Sequence, residues 1–483
     1  MKKLLLLSAI LSSGVYAASI DHIQTYTPDY LANQAQTGMI NGVSAYYNPA
    51  GLGRLEKGKY FHVGFQFAHG HEKMSYKEKE HKAKLNQAIP NIALTFVDNK
   101  GATFFNFGGL AGGGKLQYDG VSGVDVLTDL AQFKPLGIYD KGSTLKGSNK
   151  YEQITLGRAF NIDDKLSFSI AGRVVHGTRK LNGSLNIGVN PTAQYRQEKA
   201  QQVAQEVSRA VDAATQGKGL SAAQIAAIKA QKTNEALTKL QQKVNGLNQN
   251  GLTGDIDSKR EAWGYGFQLG MNYKVNDKLN LAARYDSRVK MNFKAKGHEY
   301  QLQTTDILGQ TIGLSTFYPQ YTINSKIRRD LPAILSVGAS YKVTDSYLVS
   351  ASGNFYFNRQ AKMDRVKAFR GHQHGGDYKN GWEIALGNEY KLNEKFTLIG
   401  SINYADTGAK TASFNDTEYA LNSVTLGGGI RYQYDESLAI TASVAHFIYK
   451  GAEGNFKEKY GVAENQKYKK EITALGLSIT KKF

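Results

Sequence analysis

Arg284, Asp286, Arg288 and Lys290 occupy every second position of one segment. If that segment is a β-strand, residues two apart share a face, so three cations and one carboxylate stand in a row. Such a row can hold the carboxylate of a ligand through charge-assisted hydrogen bonds. Arg173 and Arg179, on another segment, are further candidates for the same task. A charge network that merely braces a wall uses the same residues, and the spacing leaves both readings open. Metal chemistry is poorly provided for. His69 with His71, and His372 with His374, are pairs without a third ligand at a convincing spacing. Neither a Gly-x-Ser-x-Gly elbow nor a Gly-rich phosphate cradle occurs. No catalytic residue, metal or cofactor is therefore expected, although spacing alone does not exclude a Ser–His pair.

The elements that must position these residues are strands. Trp263, Tyr265, Phe267, Leu269, Met271 and Tyr273 alternate with Gly264, Gly266, Gln268, Gly270, Asn272 and Lys274, which is strict period-two patterning with one apolar face. After Asn276-Asp277-Lys278 the pattern resumes at Leu279, Leu281, Ala283 and Tyr285. Similar short turns recur at Asp98-Asn99-Lys100, Asp163-Asp164-Lys165, Thr344-Asp345-Ser346, Asn393-Glu394-Lys395 and Asp435-Glu436-Ser437. Their Asn, Asp and Ser side chains bond the local backbone and favour tight reversal. Long polar loops separate them, giving the short-periplasmic, long-extracellular asymmetry of outer-membrane barrels. The tally is about fourteen strands, from 59–70 through 102–113 and 279–293 to 470–483, with a bulge expected between Leu421 and Val424. The fold class is all-β: an antiparallel transmembrane β-barrel.

The chain ends agree. Lys2-Lys3, the apolar run Leu4 to Leu11 and Val15-Tyr16-Ala17 form a cleavable export signal over 1–17. The closing strand ends on Phe483, expected to be read by barrel-assembly machinery. No run of about 18 apolar residues supplies a helical span. With no cysteine, stability rests on backbone pairing and packing. Gly (51), Tyr (29) and Phe (21) are abundant and Pro (7) scarce, which suits many strands with aromatic girdles. The formal charge of +19 becomes +17 once Lys2 and Lys3 leave, favouring anionic partners such as outer-membrane lipids or a carboxylate ligand. No basic stripe interleaved with stacking aromatics occurs, so nucleic acid is not expected as a partner. The insertion 183–258 reads differently. Val203, Val207, Ala210 and Val211 keep helical spacing, and Ser221 with Gln224 forms a capping box. It predicts a helical hairpin on the extracellular rim, either a lid packed on itself or a first landing site for an apolar ligand.

Before the first strand, Tyr46-Tyr47-Asn48-Pro49-Ala50-Gly51-Leu52 resembles the Asn-Pro-Ala-Gly signature of the FadL-type outer-membrane transporters of long-chain fatty acids and other hydrophobic compounds. Leu31-Ala32-Asn33-Gln34-Ala35, Pro90-Asn91-Ile92-Ala93 and Asp330-Leu331-Pro332 are similar to that family as well. The resemblance implies that residues 18–58 form a hatch inside the barrel of residues 59–483, with Asn48, Pro49, Ala50 and Gly51 as its motif. It also implies lateral release through a kink in the third strand, where Gly108, Gly109, Gly112, Gly113 and Gly114 weaken pairing. Phe133, Leu136 and Ile138 in the following loop are candidates for an apolar groove by which ligand enters, or for packing that loop down. The implied function is passive, hatch-gated uptake of hydrophobic molecules, long-chain fatty acids foremost and aromatic hydrocarbons after them. A general porin for polar solutes and a barrel-anchored adhesin remain alternatives.

Overall fold

The computed structural model describes residues 24–131, 133–296, 302–303, 323–362, 364, 366–367, 373–374, 378–414 and 419–483. The expected export signal, 1–17, and His372 lie outside the described residues. Fourteen antiparallel strands close into a barrel: β1 (Gly58–Tyr76), β2 (Lys79–Asp98), β3 (Gly101–Tyr118), β4 (Thr144–Asn161), β5 (Leu166–Val189), β6 (Leu252–Lys274), β7 (Leu279–Asp286), β8 (Ile334–Lys342), β9 (Tyr347–Tyr356), β10 (Gly381–Lys391), β11 (Phe396–Asp406), β12 (Ser423–Asp435), β13 (Leu438–Tyr449) and β14 (Lys467–Lys482). β14 pairs with β1 from Tyr60↔Lys482 to Ser75↔Lys467, which removes the sheet edge. In a bilayer core that closure is what satisfies backbone N–H and C=O groups.

The alternation sorts the two faces as the sequence predicts. Trp263, Tyr265, Phe267, Leu269 and Met271 are exposed on the outside, while Gly264, Gln268, Gly270 and Asn272 are buried inside. Some strands outrun their predicted ends, β1 continuing to Tyr76 and β3 to Tyr118, whereas β7 stops at Asp286, short of the expected 293. The expected bulge at Leu421–Val424 is not there: β12 begins at Ser423, and its register shift lies between Gln433 and Asp435.

The insertion is helical only over α3 (Ala193–Thr215) and α4 (Ala222–Asn250); its flanks are strand. The capping box forms, with Ser221 N donating to Gln224 Oε1 (2.9 Å) and Gln224 N to Ser221 Oγ (3.2 Å).

Residues 24–53, nearly all of them buried, lie inside the barrel. A short helix, α1 (Pro28–Ala32), starts on Thr27, whose Oγ1 accepts from Tyr30 N at 3.1 Å, with Pro28 pre-set for the first helical position. A second, α2 (Ser44–Tyr47), leads through Asn48 into a 3₁₀ turn, Pro49–Arg54. Wall hydroxyls and amides hold this segment: Thr37 N donates to Ser352 Oγ (3.0 Å), Asn280 Nδ2 to Gly38 O (2.9 Å) and Ser167 Oγ to Ala50 O (2.8 Å).

Candidate ligand site at a break in the barrel wall

The wall is incomplete between β2 and β3. The two pair from Asp98↔Gly101 to Asn91↔Gly108, then not again until Ala83↔Tyr118. The break has a local cause in β3. Its register against β4 shifts twice, between Gly109 and Ala111 and between Ala111 and Gly114. Gly112 and Gly114 carry φ of 126° and 69°, which side-chain-bearing residues rarely adopt. A Cβ on Gly112 would stand 2.2 Å from Asn149 O. On β2, Pro90 sits just past the last ladder pair and has no N–H to extend it. The glycine run is thus a bulge that peels β3 from its neighbour. Gly108 stays paired; Gly109, Gly112, Gly113 and Gly114 line the cavity behind the break.

That cavity, of about 140 Å³, lies between the N-terminal segment and the wall. Tyr26, Leu31, Ile89, Phe107 and Phe447 supply much of its apolar lining. Two cations border it: Lys150 on β4, paired with Glu152 at 2.5 Å, and Lys470 on β14. Lys470 is the direct cross-strand partner of Glu72 on β1, and their side chains pair at 2.9 Å, both buried. Tyr118 Oη donates to Glu72 Oε2 at 3.1 Å, and Lys470 Nζ lies 5.0 Å from the centre of the Tyr449 ring.

The predicted carboxylate-binding residues lie elsewhere. Arg284 is buried against the N-terminal segment: Nε bonds Asp286 Oδ2 (2.9 Å), Nη1 donates to Tyr46 O, and Nη2 donates to Gln24 Oε1 (3.0 Å). Arg173 reaches the same carboxylate, Asp286 Oδ1, at 3.2 Å and donates to Gln153. Both guanidiniums thus converge on Asp286. Arg179 lies over the Phe293 ring, opposite Arg260 on β6. Arg288 and Lys290 depart from the expected inner face. Asp286 and Ser287 are both buried, so the alternation slips by one residue after β7 and both cations turn outward. Arg288 Nη1 instead donates to Gln360 O at 2.8 Å.

The Asn-Pro-Ala-Gly motif has a definite geometry. Asn48 Nδ2 donates to Met39 O (3.1 Å) and Asn272 Oδ1 (2.8 Å), while its Oδ1 accepts from Gly51 N (3.1 Å). A Cβ on Gly51 would meet Asn48 Nδ2 at 2.6 Å. Phe133 and Ile138 are buried, with Leu136 half-buried beside them, in a cluster with Val124, Leu127 and Leu130. They pack the β3–β4 loop down and do not line the cavity. Among the described residues no group of three or more His, Asp or Glu could hold a metal ion. The paired Glu72 and Lys470 escaped the sequence reading, since each is a single charge at an inward position. Only register brings them together.

The described residues thus form a closed fourteen-stranded barrel with an internal N-terminal segment and a break beside the third strand. The fold matches that of a Pseudomonas aeruginosa FadL homologue (TM-score 0.61, 13% identity, 97% of this chain and 100% of that one) and of the P. putida toluene transporter TodX (0.61, 14%, 95% and 99%). The family described as outer membrane protein transport protein (OMPP1/FadL/TodX) matches residues 150–483, and the chain belongs to it. Among curated relatives, the 47 kDa outer membrane protein of Pasteurella multocida is 26% identical over 205 residues, 41% of this chain and 46% of that protein. The long-chain fatty acid transport protein of Escherichia coli O157:H7 is 22% identical over 309 residues, 59% and 65% respectively. The match spans about half the length of the first of these relatives. The chain is thus a member of an outer-membrane transport-protein family.

Proposed function

We propose that the channel passes hydrophobic molecules inward without energy input and releases them sideways between β2 and β3, with residues 24–57 acting as the hatch that gates the lumen. The observation that carries this reading is the stretch where β2 and β3 do not pair, with an apolar cavity directly behind it. A molecule leaving there moves from protein to lipid without exposing apolar surface to water, which would cost about 25 cal/mol per Å². Because the chain has no cysteine, the exit can be tied shut selectively. Gln87→Cys with Gly113→Cys places thiols on the two sides of the gap. A cleavable bis-maleimide linker should abolish uptake of labelled hydrocarbon or oleate, and cutting the linker should restore it. Undiminished uptake with the linker in place would rule out lateral release.

The cavity favours an uncharged ligand. Lys470 is compensated by Glu72 and Lys150 by Glu152, and about 140 Å³ compares with the ~150 Å³ known to hold one benzene ring. The toluene transporter TodX shares the fold. A long-chain fatty acid is the second reading, favoured by the relative of that name and by Lys470 itself, whose ammonium could exchange Glu72 for a ligand carboxylate. Glu72→Gln separates the two. If the natural ligand is uncharged, the wild type binds toluene but not oleate, and the variant gains oleate binding. If wild type and variant bind oleate equally well, Glu72 does not guard the site against carboxylates.

A further inference from the structure

We infer that the outer wall of β14, β1 and β2 holds a phosphate-bearing lipid of the outer leaflet, gripped by Lys73, Lys82 and Lys469. The register sets Lys73 directly opposite Lys82 on one side and Lys469 on the other. Three ammonium groups therefore stand in one row across two strand spacings, about 10 Å. Like charges facing each other on a sheet repel. Lys73 and Lys82 share a single carboxylate, Glu80 Oε1, at 3.3 and 3.2 Å, and Lys469 makes no ion pair among the described residues. The rows on either side do not neutralise the patch: Lys84 and Glu471 flank His71 below it, and Lys467 faces Glu453 above it. Five lysines stand against three glutamates.

The patch is at the end of the barrel opposite Phe483 and the connections at 99–100, 162–165 and 275–278, the extracellular end. Below it the same outer face is apolar, with Phe65, Phe67, Leu475 and Leu477 exposed. Lys73 lies six residues beyond Phe67, which at a strand tilt of 35–45° is about 15 Å further from the membrane centre. A cationic row at that height meets a large phosphorylated headgroup, while the greasy wall beneath meets its acyl chains. Anionic headgroups and juxtamembrane lysines attract in this way. The unpaired stretch of β2 starts at Lys84, so the seated lipid borders the gap in the wall.

The test is native mass spectrometry of the delipidated full-length barrel, titrated with a bis-phosphorylated glucosamine-disaccharide lipid and with its dephosphorylated form. Lys73→Gln/Lys82→Gln/Lys469→Gln should bind the phosphorylated lipid about tenfold or more weakly than wild type. A hairpin control that removes the same charge, Lys218→Gln/Lys232→Gln/Lys239→Gln, should bind like wild type. Heat-modifiable gel mobility verifies that each variant is a folded barrel. Equal binding by the first variant and wild type overturns the assignment, as does an equal loss in both variants, which would mean net charge alone. Competition by inorganic phosphate at the lipid's own concentration would likewise overturn it in favour of a free-anion site.

Discussion

Arg284 best illustrates how one side chain serves the fold. Its guanidinium spans the wall carboxylate Asp286 and two groups of the N-terminal segment, Tyr46 O and Gln24 Oε1, and the residue is buried. Removing one partner from a buried ionic network leaves the others uncompensated, at a typical cost of about 3–5 kcal/mol. Arg173 would still face Asp286, so Arg284→Met should sit at the low end, about 3 kcal/mol, read as a shift of the denaturant midpoint. The same variant should make residues 24–57 more accessible to protease than in the wild type. An unchanged midpoint with unchanged proteolysis would mean that the guanidinium does not tie the segment to the wall. The sequence made this residue legible as an inward cation and no more. Its strand parity was right because lipid and lumen enforce opposite chemistries on alternate residues. Arg288 and Lys290 were misplaced because Ser287-Arg288-Val289-Lys290 alternates equally well in either register. Nothing in its composition betrays the one-residue slip after Asp286.

Among the elements, the β3–β4 connection shows how a loop is pinned beside the break. Val124, Leu127, Leu130 and Phe133 bury its underside, and its acidic Asp129 bonds Lys77 Nζ (2.6 Å) and Tyr76 Oη (2.6 Å) at the β1–β2 turn. Burial alone would raise the Asp129 pKa, but the bonds from Lys77 and Tyr76 outweigh it and hold the carboxyl below its ordinary value. A group depressed on folding stabilises fully above its unfolded pKa, about 3.9, and loses that contribution as pH falls through the lower folded value. The anchor should therefore hold from neutral pH down to about 4 and let go below. Pepsin cleavage within residues 119–143, followed between pH 5 and 2, should rise below pH 4 in the wild type and be fast throughout in Asp129→Asn. A pH-independent rate in the wild type would show that apolar packing alone fixes the loop. The glycines of β3 announced a weak strand from sequence. That the weakness opens the β2 side, and backs onto a cavity, depends on Pro90 and on the β4 register. Single-strand patterns do not encode either.

At the scale of the whole molecule the barrel and the helical hairpin are separable. The hairpin is held chiefly by itself: Val211 and Val244 are buried, and Lys229 pairs with Asp212 at 2.7 Å. Its ties to the rest gather at its base, where Thr192 N donates to Pro135 O at 2.9 Å and β5 meets β6 at Ile187↔Leu252. Excising residues 193–250 and joining Thr192 to Gly251 leaves Asn190-Pro191-Thr192-Gly251 as a four-residue connection, a length hairpins accept. Longer loops add little to closure entropy, so shortening this one from 62 to four residues changes stability by only about 2–3 kcal/mol. The shortened barrel should keep its thermal midpoint within a few degrees. If the chain works as a channel with its exit in the wall, uptake should fall by no more than about twofold, the loss of a landing surface rather than of the path. Were the barrel only an anchor for an adhesive hairpin, excision would abolish attachment of expressing cells to a surface, and wild-type cells would show no uptake to lose. Measuring both properties in the same strains decides between a channel that carries a hairpin and a hairpin that borrows a barrel.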